Sequence, residues 1–211
     1  MDPYEKVRNA VNALPQFRDK EGVTEVVDKI IEDLRQGTLD ASKYMAESLR
    51  FPDHVTVIIA VSKIDESLNF LITLRLLPCP SKKDEFLTSD RGVGTFSNRI
   101  ELALRLGIID STLARALHLM RKIRNDCAHS SEEQTFGKSP HAERIRELMN
   151  RCERNSKAEK IRKTLKGVDG ELSDAKIDFG IVTVLILGKL NWAKVLVRQV
   201  DSTLANVASF P

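Results

Sequence analysis

The chain has 211 residues, enough to bury a substantial core as one large domain or two small ones. Hydrophobic residues make up 42% and charged residues 30%, as in an ordinary globular protein, and a net charge of +3 is too mild to imply nucleic acid by itself. Aromatic residues are only 5% and Gly and Pro are sparse, which favours helices over strands.

Cys79, Cys127 and Cys152 are odd in number and form no CxxC, so free thiols in a reducing compartment are expected. The start, Met1-Asp2-Pro3-Tyr4-Glu5, is charged and has no apolar signal-like core. The longest uncharged apolar run, Phe179 to Leu187, is about half of the roughly 20 residues that a membrane span needs. These features predict a cytoplasmic protein with no membrane partner.

In chain order, Val23, Val26, Val27, Ile30, Ile31 and Leu34 recur at helical spacing, and Gly37 follows as a predicted C-terminal cap. A short helix is expected over 39–50, and Pro52 suits the first turn of the next, over about 52–77. There Val57, Val61, Ile64, Leu68 and Ile72 form one face. Ile59, Phe70 and Leu77 lie opposite, which predicts cover on both sides. A polar line of Ser62, Glu66, Asn69 and Thr73 runs along this helix. It is either a solvent stripe or a buried carboxylate line that needs a cationic partner.

Pro78 and Pro80 end the helix, and a polar connection follows over 82–94 with room for one turn at Asp84 to Leu87. Thr95 or Ser97 caps the next helix, Gly107 closes it, and Asp110 or Ser111 opens another over about 111–128. At 100° per residue Arg124 falls among Leu113, Leu117, Met120 and Cys127, on the predicted core side. Ser139-Pro140 starts an amphipathic helix with Ile145, Leu148, Met149 and Cys152 on one side. From His141 to Lys166 nine Lys or Arg face four Asp or Glu, a local net of +5. This basic helix, 141–166, with Arg144, Arg151, Arg154, Lys160, Arg162 and Lys163, is either a solvated face or a phosphate-binding surface for RNA. No aromatics are interleaved to stack bases. Ser173 caps a long final helix expected to reach about Ser209, with Ile181 to Leu190 as the spine of the core. The whole chain is therefore expected to be an all-α, single-domain multi-helix bundle with a long C-terminal helix.

No Gly-rich phosphate loop, metal-ligand spacing or GxSxG is present, so neither cofactor nor metal is expected. His118 and His129 are about 16 Å apart on one helix and cannot share a metal. Leu106 to Asp110 has the form of a helix-turn-helix turn, but the following helix buries the face that would read DNA. What remains is Arg124, Asn125 and His129, with Glu66, Asn69 and Arg99 as supporters. A histidine can move protons at a ribose hydroxyl, and an arginine can hold a phosphate bidentately. The alternative is structural: Arg124 buried against Glu66, with Asn125 and His129 capping the helix end.

The segment 94–103, beginning Gly94-Thr95-Phe96-Ser97, then Leu106-Gly107-Ile108-Ile109, then Leu119-Met120 through Arg124 to His129, resembles the mannitol-operon repressor family. Glu66-Ser67-Leu68-Asn69-Phe70-Leu71 is similar to a segment of that family, so the family-like core spans about 55–136, with C-terminal helices over 139–209 packed on it. Where the repressor has Arg-Glu, this chain has Arg124-Asn125. The resemblance implies a helical, often oligomeric regulator of transcription that works through contacts with another protein. The Arg-Asn-x-x-x-His string is also similar to the signature of HEPN helical domains, many of them RNases that join two such motifs across a dimer and others non-catalytic binding modules. That likeness implies a metal-independent endoribonuclease in a homodimer. Arg124 would hold the phosphate, His129 would act as general acid or base, and Asn125 would orient it. Arg124 and His129 diverge by about 140° on one helix, so a shared task needs a break in the helix or a second chain. The regulatory interaction protein is the leading expectation, and the ribonuclease is the alternative.

Overall fold

The computed structural model describes residues 23–79, 81–82, 84–88, 92–129, 135–150, 156–166, 172–197 and 199. Among the described residues there are eight helices and no strand, the all-α bundle that the composition predicts.

Helix α1 runs unbroken over Val23–Ser48, where a cap at Gly37 was expected to divide it. The periodicity on either side of Gly37 is helical, and the glycine serves close approach. A Cβ there would collide with the side-chain amide of Asn191 on the final helix, along which α1 packs. Thr38, Ser42 and Ser48 return their hydroxyls to carbonyls four residues back, which satisfies them inside the helix.

Helix α2, Asp53–Arg75, follows Pro52 at its N-cap. Thr56 Oγ1 donates to Ser48 O at 2.8 Å and clasps the end of α1 to the start of α2. Val57, Ala60, Val61, Ile64, Leu68, Leu71 and Ile72 are buried. The opposite side is open, contrary to the expectation of cover on both sides. Phe70 is 49% exposed, Leu77 44% and Leu74 40%. Only Ile59 gains shelter there, under Tyr44, whose hydroxyl reaches Ile59 O at 3.4 Å.

A short helix α3, Glu85–Thr88, buries Leu87. In α4, Phe96–Arg105, the Thr95 side chain accepts from Asn98 N as the N-cap. The chain then turns through Gly107 at φ +69. Gly107 N donates to Leu104 O and Ile108 N to Ala103 O, a Schellman closure that needs the left-handed residue at this point. Asp110 Oδ1 accepts from Leu113 N at 2.7 Å and opens α5, Ser111–His129.

The basic stretch 141–166 is two helices, not one: α6, His141–Asn150, and α7, Ser156–Lys166. They bury different partners, α6 lying on α5 and the last helix, and α7 on the last helix and α1. The last helix, α8, covers Asp174–Leu196, with Ser173 accepting from Lys176 N at its start. It ends well before the expected Ser209. Its last fully buried residue is Leu190, Val197 turns extended, and Gln199 Nε2 donates to Leu76 O at the end of α2. Once the buried face stops, packing no longer supports the helix.

Ile177 and Phe179 through Leu187 are buried on all sides of α8, which is therefore the spine predicted for it. By length and composition α8 is the one described helix apolar enough to cross a bilayer, but its apolar residues are spent on α1, α2, α6 and α7. Phe136, in the connection after α5, stacks on Phe179 at 4.7 Å. The main core draws on every helix from α1 to α8. A second, smaller cluster joins Val27 and Ile31 of α1 to Trp192 and Val195 near the end of α8.

Candidate functional site: the end of helix α5

The candidate residues occupy the last two turns of α5. The helix is held from below by Leu113, Leu117, Met120 and Ile123, all buried. It runs antiparallel to α4, with His118 Nε2 opposite Glu101 Oε1 at 2.9 Å. At 19 residues against 10, α5 extends beyond the start of α4. Arg124 lies on that overhang and is exposed. The core-facing placement expected for Arg124 is therefore not met, although Leu113, Leu117 and Met120, at nearby projected angles, are buried.

The buried Arg124–Glu66 pair does not form. Arg124 Nη1 donates to the side-chain oxygen of its neighbour Asn125 at 2.9 Å, and Glu66 is exposed and paired with Lys63 at 2.7 Å. The Lys63 ammonium holds the Glu66 carboxyl below its ordinary range. Arg99 does not join Glu66 either. Its Nη1 meets both oxygens of Asp65 at 2.8 Å, and its Nη2 donates to Leu87 O at 3.1 Å. The supporting set Glu66, Asn69 and Arg99 is thus not one network. Ser62, Glu66 and Thr73 form the solvent stripe, while the Asn69 side-chain oxygen is buried with no hydrogen-bond partner.

His129 is exposed at the C-terminal end of the helix. Helix continuity from Ser111 to His129 keeps Arg124 and His129 about 140° and about 7.5 Å apart along the axis. One chain does not aim both at one atom. Asn125, expected to orient His129, is engaged with Arg124.

Around this end the carboxylates are already neutralised. Asp126 on α5 pairs with Arg144 on α6. Asp53 accepts from Phe136 N at 2.9 Å and pairs with Lys176 at 3.1 Å. Cys127 is half-buried, and its thiol is pushed up to about 11, first by burial and then by the Asp126 and Asp53 carboxylates. It stays protonated and is no nucleophile. His141, buried at the start of α6, is lowered from 6.5 by burial, against the pull of the Asp126 carboxylate and with the help of the Arg144 cation.

The predicted basic surface is divided. Arg144 is committed to Asp126, and Arg162 to Asp178 at 2.6 Å. Lys160 and Lys163 are exposed on α7, and Arg151 and Arg154 lie outside the described residues. Sequence reasoning missed Asp65 and Asp126 as the carboxylates that fix the arginines. Asp65 is one step of about 100° from the buried Ile64, and Glu66 is two steps, so the rim position was Asp65. Among the described residues no cluster of His, Cys, Asp and Glu is suited to a metal.

No family model, no curated protein and no solved structure matches this chain.

Proposed function

We propose that the end of α5 is half of a metal-independent RNA-cleaving site of the HEPN type, completed by the same helix end of a second copy. The observation that carries this reading is the state of Arg124: exposed, and hydrogen-bonded to a neutral amide instead of a carboxylate. A guanidinium kept in this way retains donors for a phosphate. In the complete site, Arg124 holds the non-bridging phosphate oxygens. His129 of the second copy takes the proton of the ribose 2′-hydroxyl as its oxygen attacks phosphorus, and the departing 5′-oxygen takes its proton from water. The product ends are a 2′,3′-cyclic phosphate and a 5′-hydroxyl. The test is incubation of wild type and His129→Ala with total RNA in chelator. Cleavage by wild type alone supports the reading, and absence of cleavage, or equal cleavage by both, overturns it.

A second reading, regulation of the mannitol-repressor type through protein contacts, is favoured by the open face of α2. Phe70 and Leu74 lie there one turn apart, with Leu77 exposed just past the helix end and Lys194 5.3 Å from the Phe70 ring. An apolar stripe with a cationic border suits an acidic amphipathic helix of a partner protein. A photo-crosslinker at position 70 tests it. A defined adduct at 70 that is absent at Glu47, on exposed α1 surface, supports the reading, and the same pattern at both positions removes it.

A further inference from the structure

Along α5 the pairing of charges stops at His118. Arg115 meets Glu147 at 2.7 Å and His118 meets Glu101 at 2.9 Å. Arg121, Lys122 and Arg124 follow, and among the described residues none of the three meets a carboxylate. The one carboxylate of these last turns, Asp126, belongs to Arg144. We infer that Arg121 binds a second phosphate of the RNA strand, next to the one on Arg124, so that the site takes a polynucleotide and not a lone phosphodiester.

The first support is an unmet donor. Arg121 is half-buried, and its Nε is buried with no hydrogen-bond partner. A guanidinium has five donors and no acceptor, and a buried donor left unmet costs free energy. Turning outward to a phosphate, with Nε and one Nη as a fork, meets that donor. Arg99 shows the contrast. Its Nε is also buried and unmet, but Asp65 at 2.8 Å and Leu87 O at 3.1 Å hold the rest of its guanidinium in place. Nothing among the described residues holds Arg121 in this way.

The second support is placement. Arg121 and Arg124 are three residues apart on one helix, about 4.5 Å along its axis and about 60° around it. They are therefore neighbours on the helix surface, at an offset that suits two successive phosphates of one strand. Like charges at this spacing repel each other, and bound phosphates relieve the repulsion. Lys122 is exposed but lies about 160° around the helix from Arg124, so it fronts a different part of the surface. The inference rests on the reading that Arg124 holds an RNA phosphate.

The probe is a short fluorescent 2′-O-methyl oligouridylate. It lacks the attacking hydroxyl and stays intact, so binding is read apart from cleavage. Anisotropy is measured over a range of salt concentrations. Arg121→Gln should weaken binding about tenfold and lower the salt slope by about one. Lys122→Gln should change both less. Unchanged affinity and slope in Arg121→Gln, an equal loss in Lys122→Gln, or no binding by the wild-type protein overturns the inference. If Arg121→Gln does not fold, Arg121→Lys decides. The ammonium keeps the charge but not the fork, so affinity should fall while the slope stays, and unchanged affinity overturns the inference. Cleavage of total RNA by the wild type, with unaltered binding in Arg121→Gln, removes the second phosphate alone. Binding that depends on Arg121, without cleavage of total RNA, removes the nuclease alone.

Discussion

Burial acts on Cys127 and His141 in opposite senses, because it disfavours whichever form is charged. The thiol keeps its proton and the imidazole sheds one. For His141 the folded state binds the proton less readily than the unfolded state. Its contribution to stability is therefore present above the ordinary histidine value of 6.5 and is lost as pH falls below it. A proton there would also add a charge beside Arg144, which is tied to Asp126. We expect the urea midpoint to fall between pH 7.5 and 5.0, and to fall less in His141→Leu. Equal slopes for the two proteins would remove His141 as the cause. None of this was visible in the sequence, where His141 is one polar residue of a basic segment. Its burial depends on where α6 lands against α5, a tertiary fact. Arg124 teaches the converse. Helical projection put it among buried residues, and it is exposed, because the angle around one helix does not say which neighbours reach that level.

Elements were legible wherever a cap or a breaker marked them. Thr95, Gly107, Asp110 and Ser173 all act at the positions predicted for them, because each satisfies a backbone group that the helix itself leaves open. Gly37 misled because a glycine that admits a neighbouring helix looks, in one dimension, like a glycine that ends one. The ties between elements were less legible still. Arg99 joins α4 to α2 through Asp65 and to α3 through Leu87 O, with the two charged side chains 14% and 25% exposed. Arg99→Met leaves the Asp65 carboxylate without its cation and should cost about 2 kcal/mol. The double variant Arg99→Met with Asp65→Leu should cost less than the sum of the two single changes. Denaturant unfolding of all four proteins checks this. Additive losses would mean that the pair contributes nothing beyond its separate packing.

For the whole molecule, the proposed ribonuclease makes a statement about copy number. If each site takes Arg124 from one chain and His129 from the other, neither Arg124→Ala nor His129→Ala has an intact site alone. A mixture that exchanges subunits contains heterodimers with one site doubly altered and one wild type. RNA cleavage should then return to about a quarter of the wild-type level at equal mixing. Two inactive variants that stay inactive after exchange would exclude a site shared in this way. The main core runs through all eight helices and gives no reason for one of them to move apart from the others.

The smaller cluster is different. Val27 and Ile31 meet Trp192 and Val195 where α1 begins and α8 nears its end, outside the contiguous core. Among the described residues few apolar groups hold this corner, so the first turns of α1 are expected to open without the bundle unfolding. Native-state hydrogen exchange should therefore find two classes of amide. Those around 27–31 should exchange through a small local opening, nearly independent of denaturant, and those of 57–72 only through global unfolding. A single exchange class with one denaturant dependence would mean that the corner is as cooperative as the rest.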